Sequence, residues 1–208
     1  MDRMDVHGII LAAGGSTRMD EKFPKLTLPF RQKPILWWSL RAALDSNLKS
    51  VTLIVGANKN KLLYAVKNIG GGKRLKIHVN SKWKAGRSTS VAKGIKSLHD
   101  KSSHLMFLQG DQPLMTSELI NSVLSLAEEY PNSPMIYPVF KGKKAHPVIF
   151  SAEGIKDLLK IGGDVSGYIL TEVFKDDVAT FEIEDDSTQF NVNTNSDYKK
   201  LIEEYEIE

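Results

Sequence analysis

A short apolar run that stops abruptly at two glycines constrains this chain more than any other feature. Residues 6–19 read VHGIILAAGGSTRM, and the apolar side chains end just before Gly14 and Gly15. This pattern predicts a buried strand that runs into a glycine-rich turn. Glycines at such a turn can adopt positive φ and allow a ligand to approach the main chain, so that backbone N–H groups converge on an anion. We therefore expect a phosphate site here.

Two basic residues follow this turn. Arg18 can hold two phosphate oxygens with its planar fork, and Lys25 in the PKL segment adds a compact positive charge. The stretch lacks the Gly-Lys-Ser/Thr of the Walker loop and the G-x-G-x-x-G spacing of dinucleotide sites. The alternative interpretation is a plain strand and turn followed by solvated basic residues.

Composition narrows the class of protein. The chain has 208 residues with 41% hydrophobic content, which favours a single domain over residues 1–208. The net charge of +3 is carried by scattered lysines and arginines that alternate with acids, so no nucleic-acid surface is expected. Cysteine is absent, which excludes disulfides and thiolate sites. No run of eighteen apolar residues predicts a membrane span, and we expect a cytoplasmic protein.

Strand and helix patterns alternate along the whole chain. Strands are predicted at residues 51–55, 75–79, 103–111 and 178–183, with two more inside 135–150 around the turn at Lys141 to Lys143; helices are predicted at residues 34–44, 59–68, 86–98, 117–129, 152–160, 165–174 and 196–206. This alternation predicts an α/β sandwich around a mainly parallel sheet with one antiparallel interruption.

Asp111 directly follows the predicted strand at residues 103–111. A carboxylate in this position leaves the carboxyl end of the strand, where ligands gather in open α/β sheets. It would serve there as a hard oxygen ligand for Mg²⁺, which prefers carboxylates together with substrate phosphates. Asp111 could instead cap the helix at residues 117–129, but Thr116 is better placed for that role.

Six blocks together carry a resemblance to a known family. The chain contains LAAGGSTRM with PKL, WKAGRSTSVAKGI, LQGDQP, AHPVIF, GGDVSGYIL and FNVNTNSDY in that order. It thereby resembles the MobA-like nucleotidyltransferases, and most closely the branch of molybdenum cofactor cytidylyltransferases and molybdenum hydroxylase accessory proteins. The resemblance implies a Rossmann-like three-layer α/β/α sandwich with a mixed, mainly parallel sheet. Because LAAG replaces LAGG, it also implies CTP over GTP.

The resemblance also implies roles for individual residues. Arg18, Lys25 and Asp111 would be catalytic, and Asp111 and Asn193 would hold Mg²⁺, with Asp197 as a further match in the C-terminal block. His146, Asp164 and Tyr168 would contact the acceptor. The nucleotide would be bound by Leu11, Ala12, Ala13, Gly14, Gly15, Ser16, Ser88, Ser90 and Gly110, with Thr89 nearby.

Three places depart from the family pattern, and we expect these changes to leave the nucleotide half intact and to affect the choice of acceptor. Tyr168 stands where an Arg is expected, Ala145 replaces the usual Gly, and Asn191 to Thr194 replace an Asp-x-Asp-Thr form. We expect CMP transfer from CTP, or another NTP, to a phosphorylated small-molecule acceptor, namely the terminal phosphate of molybdopterin, with a molybdenum hydroxylase as a possible partner.

Two alternatives remain at this stage. One is a cytidylyltransferase for a sugar or polyol phosphate, with a different acceptor pocket around Lys143, His146 and Tyr168. The other is a non-catalytic carrier of nucleotide or molybdenum cofactor that meets a partner through Trp37, Trp38 or Trp83.

Overall fold

The computed structural model describes residues 4–15, 24–98, 104–163 and 165–205, and a mixed β-sheet lies at its centre. The described strands are β1 (Val6–Ala12), β2 (Pro29–Phe30), β3 (Lys33–Pro34), β4 (Ser50–Val55), β5 (Leu75–Val79), β6 (His104–Gln109), β7 (Met135–Phe140), β8 (Lys143–Lys144), β9 (Val148–Phe150) and β10 (Ala179–Glu182). The described α-helices are α1 (Ile35–Asp45), α2 (Lys59–Val66), α3 (Arg87–Lys96), α4 (Ser117–Glu129), α5 (Ala152–Leu158), α6 (Leu170–Phe174) and α7 (Asn195–Tyr205). Single turns of 3-10 helix are found at Lys25–Thr27, Gly72–Arg74, Trp83–Ala85, Gly167–Ile169, Lys175–Asp177 and Ser187–Gln189.

The order of strands in the main sheet is β10-β7-β9-β6-β1-β4-β5, and β8 pairs with the outer part of β7. β1 is parallel to both of its neighbours, β4 and β6, while β9 runs antiparallel between β6 and β7. The chain proceeds from β1 outward to β4 and β5 and then returns to β6 on the other side of β1. The carboxyl ends of β1 and β6 therefore flank a topological switch point, the usual place for a ligand in such sheets.

Helices cover both faces of the sheet, and each face has its own apolar core. Ile10 of β1 packs with side chains from α1, α2, α4 and α7 on one face. Its neighbour Ile9 packs on the other face with side chains from α3, α5 and α6. Successive residues of a strand point to opposite faces, so the continuous apolar run of β1 is buried on both sides. The predicted three-layer sandwich with a mainly parallel sheet is confirmed.

Most predicted elements agree with the structure. β5 and α4 have the predicted bounds, and Thr116 caps α4 by accepting the Leu119 N–H at 3.2 Å. The antiparallel interruption is also present, but its main strand is β9 rather than the short β8 beside Lys143.

Four helix predictions were too long. α2 ends at Val66 rather than at residue 68, and α3 spans Arg87–Lys96 rather than residues 86–98. α5 ends at Leu158, two residues before the predicted end.

The predicted helix at residues 165–174 is wrong in its first half, because Gly167–Ile169 forms a 3-10 turn and α6 begins only at Leu170. The Ser166 hydroxyl accepts the Tyr168 N–H and starts this tighter turn. Local capping by Ser thus overrides the apolar spacing that suggested a longer helix.

Candidate active site

A cleft of about 530 Å³ opens at the carboxyl ends of β1 and β6. This volume is in the usual range for small-molecule sites. Its described walls hold three cationic side chains and a single carboxylate, so they suit a polyanion. The lining residues are Leu11, Ala12, Ala13, Gly14, Gly15, Lys25, Leu26, Trp83, Lys84, Gly86, Arg87, Ser90, Gln109, Asp111 and Asn193.

The end of β1 forms one wall of this cleft. The backbone N–H of Gly110 binds Leu11 O at 3.2 Å, and that of Ala57 binds Ala13 O at 3.1 Å, so both flanking loops are tied to β1. Gly14 is not in the left-handed region, and a Cβ there would meet nothing within 4 Å. Gly14 therefore does not adopt the positive φ that glycine permits. Its contribution is the absence of a side chain, which leaves space in the cleft. Ser16 and Arg18 lie outside the described residues.

Lys25, Asp111 and Asn193 converge at the bottom of the cleft although they are far apart in sequence. The Lys25 Nζ lies 2.5 Å from Asp111 Oδ2 and 3.0 Å from Asn193 Oδ1. The side chains of Lys25 and Asp111 are 16% and 15% exposed, so the ion pair is only partly solvated. The ammonium shows that these two oxygens form a favourable position for a cation.

Backbone contacts hold these three residues together. Lys25 is in a 3-10 turn that is anchored by the buried Leu26. The N–H of the fully buried Val192 binds Asp111 O at 3.0 Å, which places the adjacent Asn193 beside the carboxylate. The site is thus assembled from three separate loops.

Asp197 holds the backbone of the loop that carries Asn193. Its Oδ2 accepts the N–H groups of Asn193 at 2.9 Å and Thr194 at 2.7 Å. Burial opposes ionisation of this carboxyl, but these two N–H groups and the Thr194 hydroxyl together hold the pKa of Asp197 below its ordinary value. Both contacts satisfy free N–H groups at the start of α7. Asp197 therefore orders the loop that carries Asn193, and it is not among the described residues that line the cleft.

The donor set fits a hard divalent cation that also uses ligand oxygens. Asp111 and Asn193 offer a carboxylate and an amide oxygen, which Mg²⁺ prefers over nitrogen or sulfur. Within the described ranges no group of three or more His, Cys, Asp or Glu side chains could hold a metal by itself. Such a cation would complete its shell with phosphate oxygens and water, as is usual for Mg²⁺ at nucleotide sites.

The start of α3 faces this cleft from the opposite side. Ser90 is 5% exposed and lines the cleft, whereas Ser88 lines a neighbouring pocket. Gly86, just before α3, has φ +107° and lies against the backbone of Gly163, where a Cβ would come within 2.9 Å of the carbonyl carbon. Only glycine fits this position without a shift of one of the two loops.

The neighbouring pocket, called the side pocket below, shares Leu11 and Arg87 with the cleft and has a volume of about 50 Å³. It is mostly apolar, with His146 and Tyr168 in its wall; Asp164 lies outside the described residues. Its lining residues are Leu11, Arg87, Ser88, Val91, Phe107, His146, Val148, Phe150, Leu158, Ile161, Val165, Ser166, Gly167 and Tyr168.

Two departures from the family pattern contact each other in this wall. The Tyr168 hydroxyl donates to Ala145 O, and its ring lies edge-on to Tyr137 and His146 at centroid distances of 5.5 and 5.3 Å. Burial raises the pKa of Tyr168 above its ordinary value. Tyr168 therefore offers the pocket an aromatic edge, and its proton is already used inside the protein.

His146 is held as a neutral ring. Burial, with a further contribution from the positive charge of Arg87, lowers the pKa of His146 to about 3. Its Nε2 lies 2.5 Å from Gln109 Nε2, and its backbone N–H and C=O both bind the Gln189 amide at 2.7 Å. A neutral imidazole in this setting can contact a ligand as a hydrogen-bonding group rather than as a cation.

Sequence reasoning did not single out three polar residues that line the cleft, Lys84, Arg87 and Gln109, or Asn80, which donates a hydrogen bond to the cleft residue Ser90. Lys84 and Arg87 lie within the block WKAGRSTSVAKGI, where only the hydroxyl residues were singled out. Gln109 ends β6 and Asn80 directly follows β5. The signal that selected Asp111, a polar residue at the carboxyl end of an apolar strand, applies equally to Gln109 and Asn80.

No helix in the described part of the chain has both the length and the apolar character that crossing a bilayer requires.

Comparison with known protein sequences places the chain among nucleotidyltransferases. The family model of the MobA-like NTP transferase domain matches residues 8–178. Nicotine blue oxidoreductase of Paenarthrobacter nicotinovorans is 24% identical over 208 residues, covering 95% of this chain and 96% of that protein. 2-C-methyl-D-erythritol 4-phosphate cytidylyltransferase of Lachnoclostridium phytofermentans is 31% identical over 126 residues, covering 60% of this chain and 52% of that protein.

Other curated relatives match only in part. The bifunctional protein GlmU of Aquifex aeolicus is 25% identical over 118 residues, which are 57% of this chain and 25% of that protein. The chain thus spans about a quarter of the length of this relative.

Solved structures share the fold along nearly the whole chain. The Rv0371c homologue from Mycobacterium sp. strain JC1 has a TM-score of 0.82 at 23% identity, with 97% of this chain and 96% of that chain covered. The manganese complex of Rv0371c from Mycobacterium tuberculosis H37Rv has a TM-score of 0.78 at 21% identity, with 97% and 100% covered. With a family model matched over most of its length, the chain belongs to the MobA-like NTP transferase domain family.

Proposed function

We propose that this protein is a Mg²⁺-dependent cytidylyltransferase that transfers CMP from CTP to the terminal phosphate of molybdopterin or molybdenum cofactor and releases pyrophosphate. One observation carries the nucleotidyltransferase part of this proposal. The Lys25 ammonium lies between Asp111 Oδ2 and Asn193 Oδ1 at one end of a nucleotide-sized cleft. A triphosphate needs this combination of a cation and hard oxygen donors at one place.

The choice of CTP rests on the end of β1 and on a relative. Ala12 and Ala13 give the LAAG form that is typical of branches using pyrimidine nucleotides, and both residues line the cleft. The relative from Lachnoclostridium phytofermentans is named as a cytidylyltransferase. Both facts support CTP over purine nucleotides.

The reaction needs positioning and charge stabilisation rather than a general base. An acceptor phosphate oxygen attacks the α-phosphorus of CTP in line, the bond to the bridging oxygen breaks, and pyrophosphate leaves with the electron pair. A phosphomonoester is already anionic, so no proton has to be removed from it. Lys25 and Arg18 stabilise the charge on the triphosphate, and the backbone at Gly14 and Gly15 orients it.

Mg²⁺, when bound by Asp111 and Asn193, would neutralise charge on the phosphates of the nucleotide. The manganese complex of the structural neighbour Rv0371c supports a divalent cation in proteins of this fold.

The acceptor is the part of the proposal that depends most on the resemblance. We propose that it binds where the cleft adjoins the side pocket, near Arg87, His146 and Tyr168, because the side pocket itself, at about 50 Å³, has room for only a small part of it. Arg87 can approach the acceptor phosphate because it lines both cavities. A cytoplasmic location and delivery of the product to a molybdenum hydroxylase belong to the same proposal.

Two relatives suggest other activities. The name of the Lachnoclostridium relative favours a polyol phosphate acceptor, with the nucleotide half unchanged. The name of nicotine blue oxidoreductase, which this chain matches over almost its full length, makes an oxidoreductase that acts on nicotine blue a second candidate.

The test is pyrophosphate release with Mg²⁺ and each of CTP, GTP, ATP and UTP. Molybdopterin, its molybdenum-loaded form, a panel of sugar and polyol phosphates, and no acceptor are compared in parallel. Release that requires both CTP and a pterin supports the proposal. CTP-dependent release only with a sugar or polyol phosphate rejects the pterin acceptor and retains the cytidylyltransferase. Oxidation or reduction of nicotine blue, without any pyrophosphate release, would reject nucleotidyl transfer altogether.

A further inference from the structure

Asn80, directly after β5, is a buried amide whose hydrogen-bonding groups are all used. Its Oδ1 accepts the Lys82 N–H at 2.9 Å, and its Nδ2 donates to Thr89 Oγ1 and Ser90 Oγ, each at 2.9 Å. A backbone N–H can only donate, so the atom facing Lys82 must be the oxygen. The orientation of the amide is therefore fixed, and both of its hydrogens point at the start of α3.

This contact decides which way the Ser90 hydroxyl points. A hydroxyl has one proton to donate and lone pairs that accept. The Ser90 oxygen accepts from Asn80, and no acceptor for its own proton lies among the described residues. Ser90 lines the cleft, so its proton is available to whatever occupies that wall. Thr89 differs, because its proton is taken by Gly86 O at 2.8 Å or Lys82 O at 3.0 Å.

In the proposed complex the phosphates lie beside Lys25 and Asp111, and the base is assigned to the part of the cleft lining that contains Ser90. The two pyrimidines differ at ring atom N3, which accepts a hydrogen bond in cytosine and carries a hydrogen in uracil. The Ser90 oxygen already accepts from Asn80, so this hydroxyl is best satisfied by donating its proton, which pairs with N3 of cytosine and not with the N3–H of uracil.

We infer that Asn80 is a positioning residue that makes Ser90 a hydrogen-bond donor, and that this donor selects cytosine over uracil. The inference rests on the proposed function, since it assumes a pyrimidine nucleotide in the cleft. Asn80 itself acts only through Ser90. Asn80 determines whether the Ser90 hydroxyl donates or accepts a hydrogen bond in the cleft. Its replacement should therefore change the preference between the two bases and not only the affinity for nucleotide.

The sharpest test is Asn80→Asp, which changes polarity with almost no change in shape. One oxygen of the new carboxylate can still accept the Lys82 N–H, while the other faces Ser90 where a donor stood. The Ser90 proton then turns toward the carboxylate, and a lone pair faces the base. Dissociation constants for CTP and UTP with Mg²⁺ are measured by calorimetry. We expect the preference for CTP over UTP to fall by at least about tenfold in this variant.

Three further variants separate this role from a structural one. Ser90→Ala alone should weaken CTP binding and leave UTP binding almost unchanged, which keeps the inference testable if the carboxylate variant fails to fold. In the Ser90→Ala background, adding Asn80→Asp should not change the CTP/UTP ratio any further. Ser97→Ala removes a hydroxyl just beyond the other end of α3, where it donates to Gly94 O, and should leave the ratio unchanged.

The outcomes distinguish the inference from the proposed function. Binding of neither nucleotide to the wild-type protein would reject the nucleotide site and the inference with it. Equal binding of CTP and UTP to the wild type, or an unchanged ratio in Asn80→Asp, would overturn the inference and leave nucleotidyl transfer intact.

Discussion

The cleft and the side pocket lie next to each other and share Leu11 and Arg87, yet they hold polar groups in opposite ways. In the cleft, the charges of Lys25 and Asp111 face each other while still partly exposed. In the side pocket, burial lowers the pKa of His146 and raises that of Tyr168, so both side chains are neutral. In the cleft, a metal ion can replace the Lys25 ammonium beside Asp111. The side pocket is suited to recognise a ligand by its shape and by hydrogen bonds between neutral groups.

This difference fits two of the three departures from the family pattern, those at Ala145 and Tyr168, whereas the third, at Asn191 to Thr194, includes the cleft residue Asn193. The charged groups of the cleft are needed by any triphosphate, so their residue types are constrained. The side pocket has to match one acceptor, and there Ala145 and Tyr168 depart from the pattern together and contact each other. The four predictions below test this division, from the largest expected effect to the smallest.

Asp111→Asn removes the negative charge of the single carboxylate among the described lining residues of the cleft and preserves the shape of the side chain. We expect the rate of pyrophosphate release to fall by at least roughly a hundredfold, because a preorganised charge beside the reacting phosphates is lost. Asp157→Asn, on the outer side of α5, is the matched control and should retain the wild-type rate. A rate within about twofold of wild type for Asp111→Asn would show that this carboxylate takes no part in the reaction.

Lys25→Met should act in opposite directions on two ligands. The ammonium competes with a metal for Asp111, so its loss should strengthen Mn²⁺ binding to the protein without nucleotide, as measured by electron paramagnetic resonance. Loss of the same charge should weaken nucleotide binding by about ten- to a hundredfold. Lys199→Met on α7 controls for the change in net charge. Parallel weakening of both ligands would contradict the exchange of cations at this position.

The neutral state of His146 predicts a pH dependence of stability. Its pKa is about 3 in the folded protein and about 6.5 in an unfolded chain, so below pH 6.5 the unfolded state binds the extra proton and folding becomes less favourable. Between pH 7 and pH 5 the free energy of unfolding should fall by about 2 kcal/mol more in the wild type than in His146→Gln. Urea unfolding at both pH values measures this, and the remaining histidines cancel in the difference. Equal losses in the two proteins would show that the ring takes up a proton in the folded state.

Tyr168→Phe should have the smallest effect. It removes the hydroxyl that donates to Ala145 O, at a cost of about 1 kcal/mol in the free energy of unfolding, and leaves the ring packing in place. The affinity for CTP should not change, whereas the KM of the acceptor should. Tyr130→Phe, at an exposed tyrosine after α4, is the control for stability. A change in CTP affinity would show that the side pocket and the cleft are not separate.

Much of the fold followed from local pattern. The apolar runs of β1, β4 and β6 predicted buried strands, and the bounds of β5 and α4 were predicted correctly. The region from 159 to 170 was less predictable, because Ser166 caps a 3-10 turn where apolar spacing suggested a continuous helix. Such competition between capping and periodicity is decided by contacts that a window of sequence does not contain.

The sequence by itself determined the class of the fold and pointed to Gly14, Gly15, Lys25, Asp111 and Asn193 among the residues of the cleft. Local sequence was enough to predict this site, because a parallel sheet brings the carboxyl ends of its strands to one edge. One of these strands is followed by glycines, and another is followed by an Asp. Only the tertiary structure decided that Lys25 lies between Asp111 and Asn193, that burial keeps His146 neutral, and that Asn80 fixes the Ser90 hydroxyl. These properties depend on distances between distant parts of the chain and on exclusion of water, and neither is written in the order of residues.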